Sequence, residues 1–312
     1  MADIIATREA YGKALAEFGD TYDMVVMDAD LSGSTKTGVF AKKFPERFIN
    51  CGIAEGNMMT TAAGIATTGK TVFASTFAVF ASGRAFEQIR NSICYPNLNV
   101  KIGATHAGLS VGEDGASHQA IADMAVMRAL PNMVVLNPAD AVETRCAIKA
   151  AIEYNGPVYI RLGRLGVPVI FDESTYKFEI GKGQLINDGN DITIVATGLM
   201  TTEAMKAVET LKAEGINARL INIHTIKPID KDIIVKAAKE TGHLVTVEEH
   251  SIIGGLGGAV AEVLAEEYPC KLTRMGVKDV FGQSGKPYDL LDMYGLTDKH
   301  IVAKVKEILN KS

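Results

Sequence analysis

Residues suited to proton transfer are concentrated in the segment HAGLSVGEDGASHQ, from His106 to Gln119. The segment lies between an apolar run, NVKIGAT, and a helix-like run, HQAIADMAVMRAL. Ligands of parallel α/β proteins bind at loops that leave the carboxyl ends of strands, and glycines there let the backbone approach a substrate. The segment is therefore predicted to be an active-site loop. A glycine-rich turn whose histidines only cap the next helix is the alternative.

A second candidate is Glu55, which stands between an apolar strand and a small-residue helix in RFINCGIAEGNMMTTAAGIATTG. The helix dipole favours a carboxylate in the first turn, so an ordinary helix-start acid is the simpler interpretation. Phe77, Phe80 and Phe86 follow at near-helical spacing. An aromatic stripe of this kind is usually part of a core.

The elements that must position these residues alternate along the chain. Near-continuous apolar runs predict strands of a parallel sheet covered on both faces, with helix-length stretches between them. These runs are MVVMDAD, RFINCGI, TVFAST, NVKIGAT, MVVLNPA and PVYIRLG. The N-terminal MADIIATREAYGKALAEFGD predicts an amphipathic helix. A first α/β domain is expected over residues 1–166, with a linker over residues 167–183.

A second alternating series predicts a smaller α/β domain over residues 184–312. One helix in it ends at Gly215 and has an apolar face formed by Ala204, Ala207, Val208 and Leu211. The other elements are expected in DITIVATG, NARLINIHTIKPID, HLVTVEEH, GGLGGAVAEVLAEEY and DKHIVAKVKEIL.

Composition excludes several classes of protein. The 312 residues are 47% hydrophobic, which suffices for about two domain cores. A net charge of −5 without any basic run argues against nucleic-acid and membrane partners. The N-terminus carries no signal-peptide core, and no 18-residue apolar run occurs, so a cytoplasmic protein is expected. The separated cysteines (Cys51, Cys94, Cys146 and Cys270) are expected to be buried small apolar residues rather than a disulfide or zinc framework.

The chain resembles the C-terminal half of transketolase over nearly its whole length. The motifs that carry the resemblance are D-A-D-L-S-G-S-T at 28–35, G-I-A-E-G at 52–56, S-T-F-A-V-F at 75–80, T-H-A-G-L-S-V-G-E-D-G-A-S-H-Q at 105–119, R-A-L-P-N-M at 128–133 and I-R-L-G-R at 160–164. The motif at 105–119 is the most specific of them. The resemblance implies a pyrimidine-binding parallel-sheet domain followed by the smaller α/β transketolase C-terminal domain.

The resemblance implies thiamine diphosphate as the cofactor. Glu55 matches the family's catalytic glutamate, whose hydrogen bond to pyrimidine N1′ favours the tautomer that can accept a proton. Phe77 and Phe80 match aromatics that pack on the pyrimidine ring. Asp30 matches an acid near the thiazolium and the subunit contact.

The resemblance also implies a sugar-phosphate site. His106, Asp114 and His118 match groups that hydrogen-bond the sugar, and both imidazoles are candidates for proton transfer, His118 the stronger. Ser34 and Arg164 match phosphate-contacting positions. The alternative for Arg164, and for nearby Arg161, is a solvated pair at a domain edge. No metal ligands are predicted in this chain, because the acids and histidines between 106 and 118 lack the close pairs of a zinc site.

The chain departs from full-length transketolases in two places. Glu55 is flanked by Ala54 and Gly56, where those proteins usually carry Arg and His, and Gly83 stands where they often place a third aromatic. The G-I-A-E form also resembles the β subunit of 2-oxo acid dehydrogenases, which has the same two-domain plan. The segment G-E-D-G-A-S-H-Q and Arg164 favour the sugar-phosphate site instead.

The sequence contains no G-D-G motif, with which the family holds Mg²⁺ and the cofactor diphosphate. Residues 254–258 lack the acid and amide ligands that Mg²⁺ requires and are expected to serve close helix packing. The Mg²⁺ ligands are therefore expected on a separate N-terminal transketolase subunit, in an α2β2 heterotetramer.

The sequence thus predicts one subunit of a cytoplasmic transketolase of the pentose phosphate pathway. It would move a two-carbon ketol unit from a ketose phosphate to an aldose phosphate. A 2-oxo acid dehydrogenase β subunit and a non-catalytic scaffold subunit are the alternatives.

Overall fold

Two sheets with mostly parallel strands organise residues 3–310, the part of the chain that the computed structural model describes. The strands are β1 (Ile4–Ala6), β2 (Met24–Asp28), β3 (Phe48–Asn50), β4 (Thr71–Phe77), β5 (Val100–Thr105), β6 (Val134–Leu136), β7 (Val158–Arg161), β8 (Gly166–Pro168), β9 (Gln184–Asn187), β10 (Ile192–Ala196), β11 (Ala218–Asn222), β12 (Thr225–Lys227), β13 (His243–Ser251) and β14 (Lys271–Val277).

The helices are α1 (Thr7–Phe18), α2 (Ser32–Thr35), α3 (Gly38–Lys43), α4 (Glu55–Ala66), α5 (Ala78–Gly83), α6 (Phe86–Gln88), α7 (Asp123–Arg128), α8 (Ala141–Glu153), α9 (Met200–Ala213), α10 (Lys231–Thr241), α11 (Leu256–Glu266), α12 (Pro287–Met293) and α13 (Asp298–Asn310). Further helical turns are Pro45–Arg47 and Leu109–Asp114, both 3₁₀, and Ile89–Cys94, a π turn. Within residues 3–310, no helix has both the length and the apolar character needed to cross a bilayer.

The first sheet has the strand order β12-β6-β7-β5-β4-β2-β3. Strands β2 to β7 are parallel and coincide with the six predicted apolar runs, which confirms the predicted parallel sheet. Strands β4 and β5 are buried almost throughout, as expected for strands covered on both faces. Their carboxyl ends meet at one edge of the sheet, so the loops that follow them lie together.

The second sheet has the strand order β14-β13-β10-β11-β9, in which only β9 runs antiparallel to its neighbour. Helix α9 buries the face predicted from its spacing, formed by Ala204, Ala207, Val208 and Leu211. The helix ends at Ala213, and Gly215 follows with φ +81°. The expected α/β fold class is confirmed for both parts of the chain.

The N-terminus and the linker differ from the prediction. The sequence predicts one N-terminal helix, but Ile4–Ala6 forms β1 and pairs antiparallel with β8 before α1 begins at Thr7. The predicted linker therefore begins inside a strand. A three-residue ribbon whose partner lies far along the chain leaves no periodic signal in the sequence. Residues 1–2 and 311–312, the outer ends of the two predicted domains, lie outside the described residues.

The helix predicted over residues 118–130 is too long. Helix α7 covers only Asp123–Arg128, because the residues before it pair with the loop that follows β5. The carbonyl oxygen of Ala120 accepts hydrogen bonds from Gly108 N at 2.9 Å and from Arg161 Nη2 at 3.1 Å. These bonds hold residue 120 in an extended conformation that a helix could not keep.

The two parts of the chain are tied together. Strand β12 leaves the second series of elements and pairs antiparallel with β6 at the edge of the first sheet. The buried carboxyl of Glu143 in α8 accepts hydrogen bonds from Asn222 Nδ2 at 2.7 Å and from the Tyr176 hydroxyl. Burial raises the pKa of Glu143 to about 8, although the hydrogen bonds from Tyr176, Ala139 N and Asn222 lower it. Residues of β11 and of the predicted linker thus converge on one buried carboxyl of the first part.

The cysteines are less buried than the sequence predicts, whereas the glycine run at 254–258 packs closely. Of the four free cysteines, Cys94 is buried, but Cys51, Cys146 and Cys270 are only half-buried. Close helix packing is confirmed at Gly254, where a Cβ would lie 2.6 Å from Ala125 in α7. A Cβ on Gly255 would instead lie 2.0 Å from the Glu248 carboxylate of β13. That carboxylate accepts hydrogen bonds from two backbone amides in the first turn of α11.

Candidate active site

The predicted site residues lie at the carboxyl-terminal edge of the first sheet. Each belongs to a segment that leaves one of its parallel strands, the place where open α/β sheets bind ligands. Ser34 follows β2, Glu55 follows β3, Phe77 ends β4, His106 follows β5, and Arg164 follows β7.

Four aromatic rings form the centre of this edge. The ring of Phe77 stacks on His106 with centroids 3.8 Å apart, and on Phe80 at 5.6 Å. The half-buried ring of His118 meets Phe77 and Phe80 edge-on, at 6.3 and 5.5 Å. The structure thus brings both predicted histidines and both predicted aromatics into one cluster.

The aromatics do not form a helical core stripe. Phe77 is the last residue of β4, Phe80 lies in α5, and Phe86 begins α6, so their regular spacing in sequence is not a helical period. Phe86 packs against the hydrophobic core and stays outside the ring cluster. The core interpretation therefore holds for Phe86 alone.

Glu55 is the first residue of α4 and is only 5% exposed. Its Oε1 accepts a hydrogen bond from Arg84 Nη1 at 3.1 Å, and the Arg84 guanidinium lies 4.0 Å from the centre of the Phe80 ring. A ligand that hydrogen-bonds Glu55 must therefore share the carboxylate with Arg84 or displace it. Sequence reasoning missed Arg84, which no motif marks.

His106 is a buried residue in the left-handed region, with φ +58°. Its Nε2 lies 3.1 Å from Arg8 Nη1 and its Nδ1 lies 2.9 Å from Thr105 Oγ1. Because a guanidinium only donates, Nε2 is assigned as the acceptor and Nδ1 as the nitrogen that carries the proton. Burial, followed by the charges of Arg8 and Arg164, lowers the pKa of His106 to about 3. His106 is therefore neutral at physiological pH.

Two arginine side chains, Arg8 and Arg164, place positive charge near His106. Arg8 Nη1 also donates to the backbone oxygen of Ser34 at 3.0 Å. Arg164 donates to the Val111 carbonyl and to Glu113 Oε2, the latter at 3.2 Å. Arg8 lies in α1 among ordinary charged residues, so no spacing signal could have identified it.

The structure also shows the surroundings of Asp30, Asp114 and Arg161. Asp30 is exposed and shares two hydrogen bonds with Asn50, of 2.9 and 3.1 Å. Asp114 is exposed at the end of the turn Leu109–Asp114. Arg161 is buried and pairs with Asp123 at 2.9 Å, so the interpretation of Arg161 as a solvated domain-edge residue is wrong.

The glycines of the predicted loop lie against other parts of the chain. Gly108, Gly112 and Gly115 all have φ between +77° and +84°. A Cβ on each would meet Glu249 at 2.3 Å, Pro287 at 3.1 Å and Ser284 at 2.5 Å, respectively. These glycines therefore permit close approach of the second part of the chain.

The residues present fit the ring half of thiamine diphosphate. A buried carboxylate that Arg84 links to a stacked aromatic face suits a flat heterocycle with a nitrogen that can share a proton. Among the described residues, no group of three or more His, Cys, Asp or Glu side chains could hold a metal ion.

Comparison with known proteins agrees with this geometry. The model of the transketolase pyrimidine-binding domain matches residues 3–169, and that of the transketolase C-terminal domain matches residues 181–301. The chain belongs to the transketolase family. It is 55% identical over 307 residues to a putative transketolase C-terminal section of Methanocaldococcus jannaschii, covering 97% of this chain and 96% of that protein.

Longer relatives and solved structures extend the comparison. Rat transketolase is 40% identical over 316 residues, but this chain spans only 50% of it. A split-gene transketolase, described as an inactive beta4 tetramer, superposes with a TM-score of 0.91 at 60% identity, covering 98% of this chain and 99% of that one. A transketolase from Leishmania mexicana shares the fold, with a TM-score of 0.83 at 24% identity, and this chain covers 46% of it.

Proposed function

We propose that this chain is the C-terminal subunit of a split transketolase. With thiamine diphosphate it would transfer a two-carbon ketol unit from a ketose phosphate to an aldose phosphate. The carrying observation is the cluster of Phe77, Phe80, His106 and His118, which Arg84 links to the buried carboxylate of Glu55. The split-gene transketolase and the archaeal C-terminal section, both matched over nearly their full length, support the proposal.

Each side chain has a role in this proposal. When bound, the cofactor supplies the electron sink for breaking a carbon–carbon bond beside a carbonyl. Glu55 would hold a proton-sharing hydrogen bond to the cofactor's pyrimidine ring, and Phe80 would fix the plane of that ring. His118 is the proposed proton-transfer group. His106, which is neutral, would orient the substrate by exchanging the contact of its Nε2 with Arg8 for one with the sugar. Asp30 near the thiazolium, and Asp114 on the sugar, stay proposals from the family resemblance.

The charge around His106 suits the phosphate of a sugar phosphate. Arg8, Lys36 and Arg164 all lower the pKa of His106, so all three place positive charge near this ring. Guanidinium groups bind phosphate oxygens in a bidentate manner. We propose that Arg164 and Ser34, with Arg8, hold the substrate phosphate.

Arg164→Ala is expected to lower kcat/KM for a phosphorylated donor. The decrease should correspond to a loss of about 2–3 kcal/mol of transition-state stabilisation, the order of a charged hydrogen bond. An unphosphorylated donor should be nearly unaffected. Steady-state kinetics of the mixed subunits with both donors checks this. Because Arg164 also binds the loop through Val111 and Glu113, an equal loss for both donors would show that it anchors the loop instead.

The proposed partner is an N-terminal subunit that carries the ligands for Mg²⁺ and the cofactor diphosphate, in an α2β2 assembly. We place the enzyme in the cytoplasm and in the pentose phosphate pathway. The beta4 tetramer of the similar split-gene transketolase is described as inactive, which supports a requirement for a second kind of subunit.

The purified chain alone is expected to bind thiamine diphosphate weakly and to transfer no ketol unit. Adding the N-terminal subunit and Mg²⁺ should restore both properties, because binding energy at the diphosphate is then available. Calorimetry and a ketol-transfer assay with xylulose 5-phosphate check this, with pyruvate as the control substrate. Tight cofactor binding by the chain alone would contradict the split-enzyme proposal. Turnover of pyruvate but not xylulose 5-phosphate would favour a 2-oxo acid dehydrogenase β subunit.

A further inference from the structure

The loop that follows His106 is held by a carboxylate from the transketolase C-terminal domain. Glu249 lies in β13, and its Oε2 accepts a hydrogen bond from the backbone N–H of Ser110 at 3.0 Å. The carboxylate is so close to the loop that a Cβ on Gly108 would lie 2.3 Å from it. Gly108 is two residues after His106, so this contact fixes the backbone directly beside the ring cluster.

Further contacts from the same domain follow along the loop. Gln119 Nε2 donates to the Gln283 carbonyl at 3.0 Å and to the Leu109 carbonyl within the loop at 3.2 Å. Ser284 lies close to Gly115 and Pro287 lies close to Gly112, as described above. Residues 106–119, here called the histidine loop, are therefore held against the C-terminal domain along most of their length.

Among these contacts, that of Glu249 carries a formal charge. The side chain is buried, and this burial raises its pKa, against the charge of Arg161 and the hydrogen bond from Ser110. A carboxyl kept in such a place costs free energy unless its oxygens accept hydrogen bonds. Its oxygen accepts the bond from Ser110 N, which would otherwise be a buried donor without a partner.

We propose that Glu249 is a positioning residue of the active site. The hydrogen bond that Glu249 accepts from the Ser110 N–H holds the loop, so that His106 and His118 keep their positions around the Phe77 ring. The inference rests on the proposed function, since the role of the two histidines in sugar chemistry is itself proposed. It assigns to the C-terminal domain a direct part in the geometry of the catalytic edge.

The first test uses hydrogen–deuterium exchange of the full chain alone, without cofactor or partner. Glu249→Ala is expected to raise exchange of amides 108–115 by about tenfold, while the buried strand β10 exchanges as in the wild type. Glu249→Gln keeps an oxygen that can accept from Ser110 N and should exchange nearly like the wild type. Unchanged exchange over 108–115 in Glu249→Ala would overturn the proposal.

A second variant probes the same contact from the loop side and serves if Glu249→Ala fails to fold. Gly108→Ala places a methyl group against the Glu249 carboxylate, and it should also raise exchange over 108–115. Gly215→Ala is the matched control, because Gly215 has nearly the same φ, +81° against +82°, but nothing within 4 Å of its Cβ position. If Gly108→Ala exchanges no faster over 108–115 than Gly215→Ala does, the contact has no positioning role.

Kinetics of the mixed subunits separate positioning from general stability. Glu249→Ala should lower kcat by about tenfold to a hundredfold, the scale of a small misplacement of reacting groups, with little change in the KM for thiamine diphosphate. Glu249→Gln should restore most of the kcat. If the loop loosens but the wild-type mixture transfers no ketol unit, the positioning role stands and the proposed function fails. If the wild-type mixture is active and Glu249→Ala keeps full kcat, the positioning role fails.

Discussion

Glu55→Gln is expected to lower the kcat of the mixed subunits by about a hundredfold or more, the usual scale for a lost acid–base function. Glutamine keeps the shape of the side chain and can still accept a hydrogen bond, but it cannot take a negative charge or share a proton. The residue is only 5% exposed at the start of α4, so little water is available to replace the carboxylate. Steady-state turnover with xylulose 5-phosphate measures the loss.

The control for this experiment is Arg84→Gln. This change removes the 3.1 Å ion pair with Glu55 but leaves the carboxylate in place. If the carboxylate itself is needed, Arg84→Gln should cost much less turnover than Glu55→Gln. Near-wild-type turnover of Glu55→Gln, together with an unchanged rate of proton exchange at cofactor C2, would contradict the role proposed for Glu55.

The parallel sheet could be predicted from sequence because its signal is local. Strands β4 and β5 are buried along nearly their whole length, so their residues are apolar without alternation, and this pattern is visible in a short window. Strands β1, β8 and β12 have three residues each and pair antiparallel with segments far away in the chain. Strands β3 and β6 are equally short, but they lie within longer apolar runs that the sequence shows locally.

The residues of the candidate site also divide into those that the sequence predicts and those that it does not. Glu55, His106 and His118 stand in segments whose order matches a family, so their proximity could be expected. Arg8 contacts His106 across 98 residues of sequence, and Glu249 contacts Ser110 across 139. An isolated charged residue in a helix or strand carries no information about such a partner. The sequence also does not show that the loop glycines face the second part of the chain, because the residues they meet lie far away in sequence.

We propose different roles for His106 and His118, which the sequence alone does not establish. His106 Nε2 accepts from Arg8 and the pKa of His106 is lowered to about 3, so no protonated His106 is available at neutral pH. His118 is half-buried and meets Phe77 and Phe80 edge-on. Proton transfer is therefore assigned to His118 in our proposal, and substrate orientation to His106.

Arg161→Met is expected to destabilise the chain by about 3–5 kcal/mol, because it leaves a buried carboxylate without its countercharge. The side chains of Arg161 and Asp123 are 2% and 0% exposed, and Arg161 Nε lies 2.9 Å from Asp123 Oδ2. Arg161 Nη2 also donates to the carbonyl oxygens of Ala120 and Glu249, both at 3.1 Å. Loss of the guanidinium therefore breaks a link between the two domains beside the histidine loop.

The midpoint and slope of urea unfolding measure this effect. Arg90→Met is the matched control, since Arg90 pairs with Glu87 on the surface, where both side chains are more than half exposed, and its loss should leave the midpoint nearly unchanged. The double variant Asp123→Asn/Arg161→Met removes both charges and should recover part of the lost stability. If Arg161→Met shifts the midpoint no more than Arg90→Met does, the buried pair is not what joins the domains. If the double variant is less stable than Arg161→Met, the cost comes from lost packing rather than from the unpaired charge.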